Sequence, residues 1–222
     1  MSHITISFLR HGKVTSYTKD MPLSGDAQAD IDAAVPRLRA LGGGDARYIF
    51  LGTRTNRSRD TAEALRRAID PAAPDVRAVW GLRNPDLYLA GSRVEMGSSA
   101  AFFASQSDVL EIEPDAVTAH PFFDGFITSS DRIGYWLRHD APPGEAAADV
   151  ARRLLHFARS FAGHSDKPLV VACVTHSPIL RAMVVHGLGL DDPKEPDWLE
   201  AVNFRLEGEQ LSFEFRGVTG IL

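Results

Sequence analysis

Sulfur chemistry has almost nothing to work with in this chain. Cys173 is the only cysteine among 222 residues, which excludes an intramolecular disulfide and a cysteine-rich zinc site. Its place inside "LVVACVT" reads as a buried small hydrophobe rather than a reactive thiol. No apolar run approaches the length of a membrane span, and the opening "MSHITISFLRH" has neither the basic start nor the cleavage-like end of a secretion signal, so the expected compartment is the cytoplasm. A basic face is lacking too. The 29 acidic residues outnumber the 24 basic ones, for a net charge of -5 spread along the chain, which argues against a nucleic-acid partner. Repeats and low-complexity segments are absent, and 44% hydrophobic and 24% charged residues are ordinary for a globular protein. The length suits one sizeable core, and a single domain over 1–222 is expected.

Hydrophobic periodicity supplies the elements. Residues 4–9 read as a strand, followed by a polar loop to about residue 23. Ser24 is expected to cap a helix with Ile31, Val35 and Leu38 on one face, kinked or interrupted by Pro36 and ended by the glycines at 42–44. "RYIFLG" is a second strand. A helix bearing Ala62, Leu65 and Ile69 follows it, and "DVRAVW" is a third strand. From Gly81 to about Gly144 the pattern breaks into short aromatic-rich pieces. The stretch at about 85–140 is expected to be a lid-like excursion, with Phe102, Phe103, Phe122, Phe123 and Trp136 excluding water or forming plain core. A helix then carries Val150, Leu154, Ala158 and Phe161, the buried strand "PLVVACVT" follows, and Ser177-Pro178 starts another helix. "NFRLEGEQLSFEFRG" is a hairpin turning near Gly208. Strands alternating with helices predict a three-layer α/β/α sandwich around a largely parallel sheet.

Two of the buried strands run out in histidine. "ITISFLRHG" ends in Arg10 and His11, and "LVVACVTHS" ends in His176. Ligands of an open parallel sheet bind beyond the carboxyl ends of its strands, so the two imidazoles are expected to face one pocket. A third strand exit, "GTRTNRSRDT", sets Arg54, Arg57 and Arg59 around a helix start, where guanidinium groups can fork onto phosphate oxygens. A cation beside an imidazole disfavours its protonation, which suits a neutral histidine that must meet an anion.

At these residues the sequence resembles the histidine phosphatase superfamily, the phosphoglycerate-mutase-like proteins. "LRHG" is similar to the signature around its nucleophilic histidine, "TRTNRSRDTAEAL" to its second arginine motif through the spacing of Thr53, Arg57 and Thr61, and "VTHSPILRAM" to its second histidine motif. "PPGEAAADVARRLLHF" is similar to the helix before the last core strand, and the likeness covers most of the chain outside roughly 85–140. The resemblance implies that His11 attacks phosphorus and is phosphorylated. It implies also that Arg10, Arg57 and His176 hold the phosphoryl oxygens, with no metal and no cofactor. The remaining histidines, His3, His120, His139, His156, His164 and His186, have no metal-ligand pattern and are taken as surface or packing residues.

The chain departs from that family at the proton donor. Many relatives carry a glutamate where "GLRNPDLYLAG" has Asn84, and others an aspartate where Ser177 follows His176. Asp86 is the nearest acid and Glu95 the next, while Asn84 and Ser177 remain candidate contacts to phosphate or substrate. After "RHG" stand Lys13, Val14, Thr15 and Ser16, which weakens a mutase reading and leaves Lys13 as a candidate contact to an anionic substrate. The expected function is metal-independent hydrolysis of a small-molecule phosphate monoester. The alternatives are a phosphomutase and a phosphate-binding regulatory protein with weakened turnover. The expected partner is a small phosphorylated metabolite, with no nucleic acid, no membrane and a homodimer left open.

Overall fold

The computed structural model describes residues 3–16 and 20–222. In chain order the elements are β1 (Ile4–Arg10), α1 (Ala27–Gly42), β2 (Arg47–Gly52), α2 (Asn56–Ile69), β3 (Arg77–Ala78), β4 (Leu87–Leu89), β5 (Ser92–Val94), α3 (Ala100–Ala104), α4 (Pro114–Thr118), α5 (Pro121–Thr128), α6 (Arg132–Leu137), α7 (Ala147–Arg159), β6 (Leu169–Thr175), α8 (Ser177–Ala182), β7 (Ala201–Glu207), β8 (Gln210–Phe215) and β9 (Val218–Ile221). The chain forms two compact units. The first comprises Met1–Arg83, Arg153–Leu180 and Glu195–Leu222, and the second Asn84–Arg152 and Arg181–Lys194.

The first unit is built on a sheet of order β3-β2-β6-β1-β7-β8-β9. Its first four strands are parallel, as expected, and an antiparallel flank follows from β7 onward. β1 and β6 lie in the middle and are buried at every position, because helices cover both sheet faces. One face of β1 sends Leu9 into a core with Ile31 and Leu38 of α1 and Leu65 and Ile69 of α2. The other sends Phe8 against Phe157 of α7 and Phe204 of β7, with ring centroids 6.1 and 5.8 Å apart. No helix among the described residues is long and apolar enough to cross a membrane.

Several expectations need correction. Ser24 does not cap α1; its hydroxyl donates to the Lys13 carbonyl at 3.1 Å, and the helix begins after Asp26. Pro36 does not break α1, which runs unbroken from Ala27 to Gly42 with Leu38 buried beyond the proline. The third strand is only Arg77–Ala78, since β2 ends at Gly52 and a longer partner would find nothing to pair with; the chain turns instead into a 3-10 segment at Trp80–Leu82. Phe161 lies past the end of α7, and the hairpin at Gly208 gains a third strand, β9. The glycine stop holds: Gly43 follows α1 at φ +73°, a left-handed conformation that costs glycine nothing.

The second unit has a two-stranded sheet of β4 and β5 and a set of short helices. Pro114 and Pro121 open α4 and α5, and the Asp131 carboxylate caps α6 by accepting from Gly134 N–H at 2.8 Å. Phe103, Phe122, Phe123 and Trp136 are buried, with Phe103 and Phe123 4.9 Å apart, while Phe102 is half-buried. Trp136 Nε1–H donates to the Glu145 carbonyl at 3.0 Å, so this ring is anchored as core.

Candidate active site

β1 and β6 are parallel neighbours in a register that pairs Arg10 with Thr175. His11 and His176 are therefore the next residues on adjacent strands, and the fold brings them together across 165 positions of sequence. Their ring centroids lie 5.3 Å apart in an edge-to-face arrangement, with His11 and His176 both 3% exposed. Arg10 is buried beside them and Arg57 stands in the first turn of α2.

Each member of the second arginine motif has its own task. Thr53 Oγ1 lies 3.2 Å from His176 Nε2. Arg57 is near enough to both histidines for its charge to disfavour their protonation. Thr61 Oγ1 accepts from Gly12 N–H at 2.9 Å and donates to the Arg57 carbonyl at 2.7 Å, tying the loop after β1 to α2. Ser58 locks the same corner, taking a hydrogen bond from Thr53 N–H at 2.8 Å and giving one to the Val174 carbonyl at 2.8 Å. The packing at Gly12 is tight, since a Cβ there would stand 3.2 Å from Leu23 Cδ2 and 3.4 Å from Thr61 Oγ1 and would require Leu23 to give way by a few tenths of an ångström.

His11 Nδ1–H donates to the Gly12 carbonyl at 2.8 Å. A carbonyl oxygen only accepts, so the neutral ring keeps its proton on Nδ1 and its lone pair on Nε2. Burial drives the His11 pKa from 6.5 down to about 3, with the guanidiniums of Arg57 and Arg10 adding to the shift against the opposing Gly12 hydrogen bond. The same causes hold His176 well below its ordinary value: burial first, then Arg57, His11 and Arg10. His176 Nδ1 is buried with no hydrogen-bond partner. The result is two neutral imidazoles beside two guanidiniums, which attracts an anion without presenting an imidazolium to it.

Sequence reasoning missed one wall of the site. The segment before β7 lies against Arg10: Leu199 N–H donates to the Arg10 carbonyl at 3.2 Å, Arg10 Nη1–H donates to the Pro196 carbonyl, and the Trp198 ring lies 3.6 Å from the guanidinium carbon and 5.7 Å from the His11 ring. Glu195 is there too, with Oε1 2.6 Å from Arg10 Nη2 and Oε2 accepting from Ser177 Oγ at 2.7 Å. No motif marks these residues. Only the pairing of β7 with β1, which sets Ala201 opposite Leu9, signals their position.

The other candidates have local partners. Lys13 is exposed and paired with Asp26. In the second unit Arg93 holds Asp86 and also Glu95, the latter at 3.1 Å, and Asp86 N–H donates to Glu145 Oε2 at 2.9 Å. Asn84 Nδ2–H donates to Glu95 Oε2 at 3.4 Å, and Asn84 Oδ1 is buried with no hydrogen-bond partner. Arg54 and Arg59 are exposed, and Cys173 is fully buried, which pushes its thiol pKa up. Among the described residues no three histidine, cysteine or acidic side chains are grouped as a metal's donor set would be.

No family model and no curated protein matches the chain. Solved structures do. YhfR of Bacillus stearothermophilus is 18% identical with a TM-score of 0.60, covering 96% of this chain and 96% of its own. Mycobacterial glucosyl-3-phosphoglycerate phosphatase is 18% identical with a TM-score of 0.53 over 91% of this chain and 90% of its own. It has also been solved with VO3 and with inorganic phosphate. Phosphoserine phosphatase from Entamoeba histolytica is 11% identical with a TM-score of 0.52 over 98% of this chain and 94% of its own. The chain shares the phosphoglycerate-mutase-like fold of these structures.

Proposed function

We propose that the protein is a phosphoric monoester hydrolase of the histidine phosphatase type, acting on a small phosphorylated metabolite through a phosphohistidine at His11. The observation that carries this reading is the His11 ring itself, whose Nδ1–H is committed to the Gly12 carbonyl at 2.8 Å while the ring sits among His176, Arg10 and Arg57. Nε2 then carries the lone pair at neutral pH, the requirement for attack on phosphorus.

The chemistry follows from these groups. Nε2 attacks as the ester oxygen departs, and negative charge on the three equatorial oxygens is met by Arg10, Arg57 and a hydrogen bond from His176. The Gly12 carbonyl supports the positive charge that develops on the imidazole as it forms the P–N bond. Water then attacks the phosphohistidine and releases phosphate. The guanidiniums supply the charge compensation that a metal ion gives in other phosphatases. Glucosyl-3-phosphoglycerate and phosphoserine, named for two of the similar structures, are reasonable first substrates in a panel.

The test is hydrolysis of aryl, alkyl and sugar phosphates by the full chain with and without a chelator. Release of inorganic phosphate that persists with chelator and is blocked by vanadate is expected. Failure to hydrolyse any ester contradicts the reading, and phosphate transferred between esters without release makes the protein a mutase.

A further inference from the structure

The proposed reaction has a need that Arg10, His11, Arg57 and His176 do not meet. An alkyl or sugar phosphate departs as a strongly basic alkoxide that must be protonated as it leaves. Guanidinium groups do not release protons under ordinary conditions, and both imidazoles are neutral.

Among the described residues, Asp20 and Glu195 bring carboxylates to this cluster within the first unit. Asp20 accepts the Asn56 N–H with both oxygens, each at 2.9 Å, and lies 3.6 Å from Arg57; it is engaged with the first N–H of α2. Glu195 is placed differently. Its oxygens meet Arg10 Nη2 at 2.6 Å and Ser177 Oγ at 2.7 Å, next in sequence to the two histidines, yet its side chain is 54% exposed while that of Arg10 is 8% exposed. It thus joins the buried cation of the site to solvent, and the backbone contacts of Pro196 and Leu199 with Arg10 fix the segment that carries it.

We propose that Glu195 is the proton carrier of the reaction, an inference that rests on the phosphatase reading. Its carboxylate pairs with Arg10. A phosphoryl dianion arriving at the same guanidinium repels that carboxylate, and uptake of a proton from solvent removes the like-charge contact. As His11 Nε2 forms the P–N bond and the P–O bond breaks, the electron pair stays on the ester oxygen, which takes the proton from Glu195 and leaves as an alcohol. Glu195 is again a carboxylate. In the second half it takes a proton from water while that water's oxygen forms a P–O bond and the P–N bond breaks, returning neutral His11, protonated Glu195 and hydrogen phosphate.

The experiment compares Glu195→Gln with Asp86→Asn on p-nitrophenyl phosphate, whose leaving group hardly needs a proton, and on glycerol phosphate, whose leaving group does. Glu195→Gln should lower kcat on glycerol phosphate by about 10²-fold or more and lose far less on the aryl ester, which also reports that the variant is folded. Glu195→Asp should recover part of the alkyl-ester rate. Equal losses on both esters would make Glu195 only a positioning residue for Arg10, and would overturn the proposal, as would unchanged rates. Selective loss on glycerol phosphate in Asp86→Asn without one in Glu195→Gln would overturn it in favour of Asp86. A wild-type chain that hydrolyses neither ester in a His11-dependent manner would instead bring down the phosphatase reading beneath it.

Discussion

Each unit contains a buried polar cluster, and the two are satisfied to different degrees. In the second unit the Arg181 side chain, 3% exposed, donates to both oxygens of Asp131 at 2.8 Å and to both oxygens of Asp192 at 2.8 and 2.6 Å. The Arg181 hydrogen bonds hold Asp131 well below the usual carboxylate range, and the same carboxylate caps α6. In the first unit the buried imidazoles of His11 and His176 stand beside two guanidiniums, and His176 Nδ1 has no partner. A buried cation whose three nitrogens all meet carboxylates holds segments together, here the start of α6 and the stretch around Asp192. A buried polar group left short by its own fold needs a partner from outside it, a water or a ligand.

The sharpest break in this contrast comes from His11. His11→Asn should lower turnover by about 10³-fold or more while leaving the fold intact, because the residue supplies the nucleophile rather than a tie; steady-state kinetics beside a thermal unfolding curve checks both halves. Next comes Arg57→Ala, which should cost about 10²-fold in kcat/KM, the size expected when a donor to the transition-state oxygens is lost. Isothermal titration with vanadate should show weaker binding in the same variant. Arg181→Met reverses the pattern. It leaves Asp131 and Asp192 with only the exposed Lys194, 3.7 and 3.5 Å away, as a cation and should destabilise the protein by about 3 kcal/mol, measured by urea unfolding, with any fall in activity following the loss of folded protein.

The last effect is a pH dependence of stability. The folded-state pKa of His11 is about 3 against an ordinary 6.5, and His176 is shifted in the same direction. Between these values the unfolded chain binds protons that the folded chain refuses, so stability falls as pH falls through that window. Urea unfolding at about pH 7 and about pH 4.5 should show the loss, and His11→Asn should reduce it. An unchanged slope in that variant would mean that His11 is not held neutral.

The parallel core and its helices were legible in the sequence because burial on both faces leaves uninterrupted apolar runs such as "LVVACVT", and the polar residues at their ends stand out against them. Arg10, His11 and His176 were legible for that reason, and Arg57 through the spacing of Thr53, Arg57 and Thr61 in the motif it resembles. β3 was overestimated because "DVRAVW" carries strand propensity at a sheet edge where β2 offers only Leu51 and Gly52 as partners. Pro36 was overread, since the helix-breaking rule does not weigh the core that Leu38 joins on the far side. Glu195 and Trp198 were invisible because their position depends on β7 pairing beside β1, a contact between residues almost two hundred positions apart.

The central claim is that the lone pair on His11 Nε2 is the group that attacks phosphorus. Rapid acid-free quenching during turnover of a labelled aryl phosphate, followed by peptide mapping at alkaline pH, tests it most directly. The account predicts an acid-labile, alkali-stable phosphoryl group on the peptide containing His11, absent in His11→Asn. Label on any other residue, or turnover with no phosphoenzyme in either half of the reaction, would contradict it.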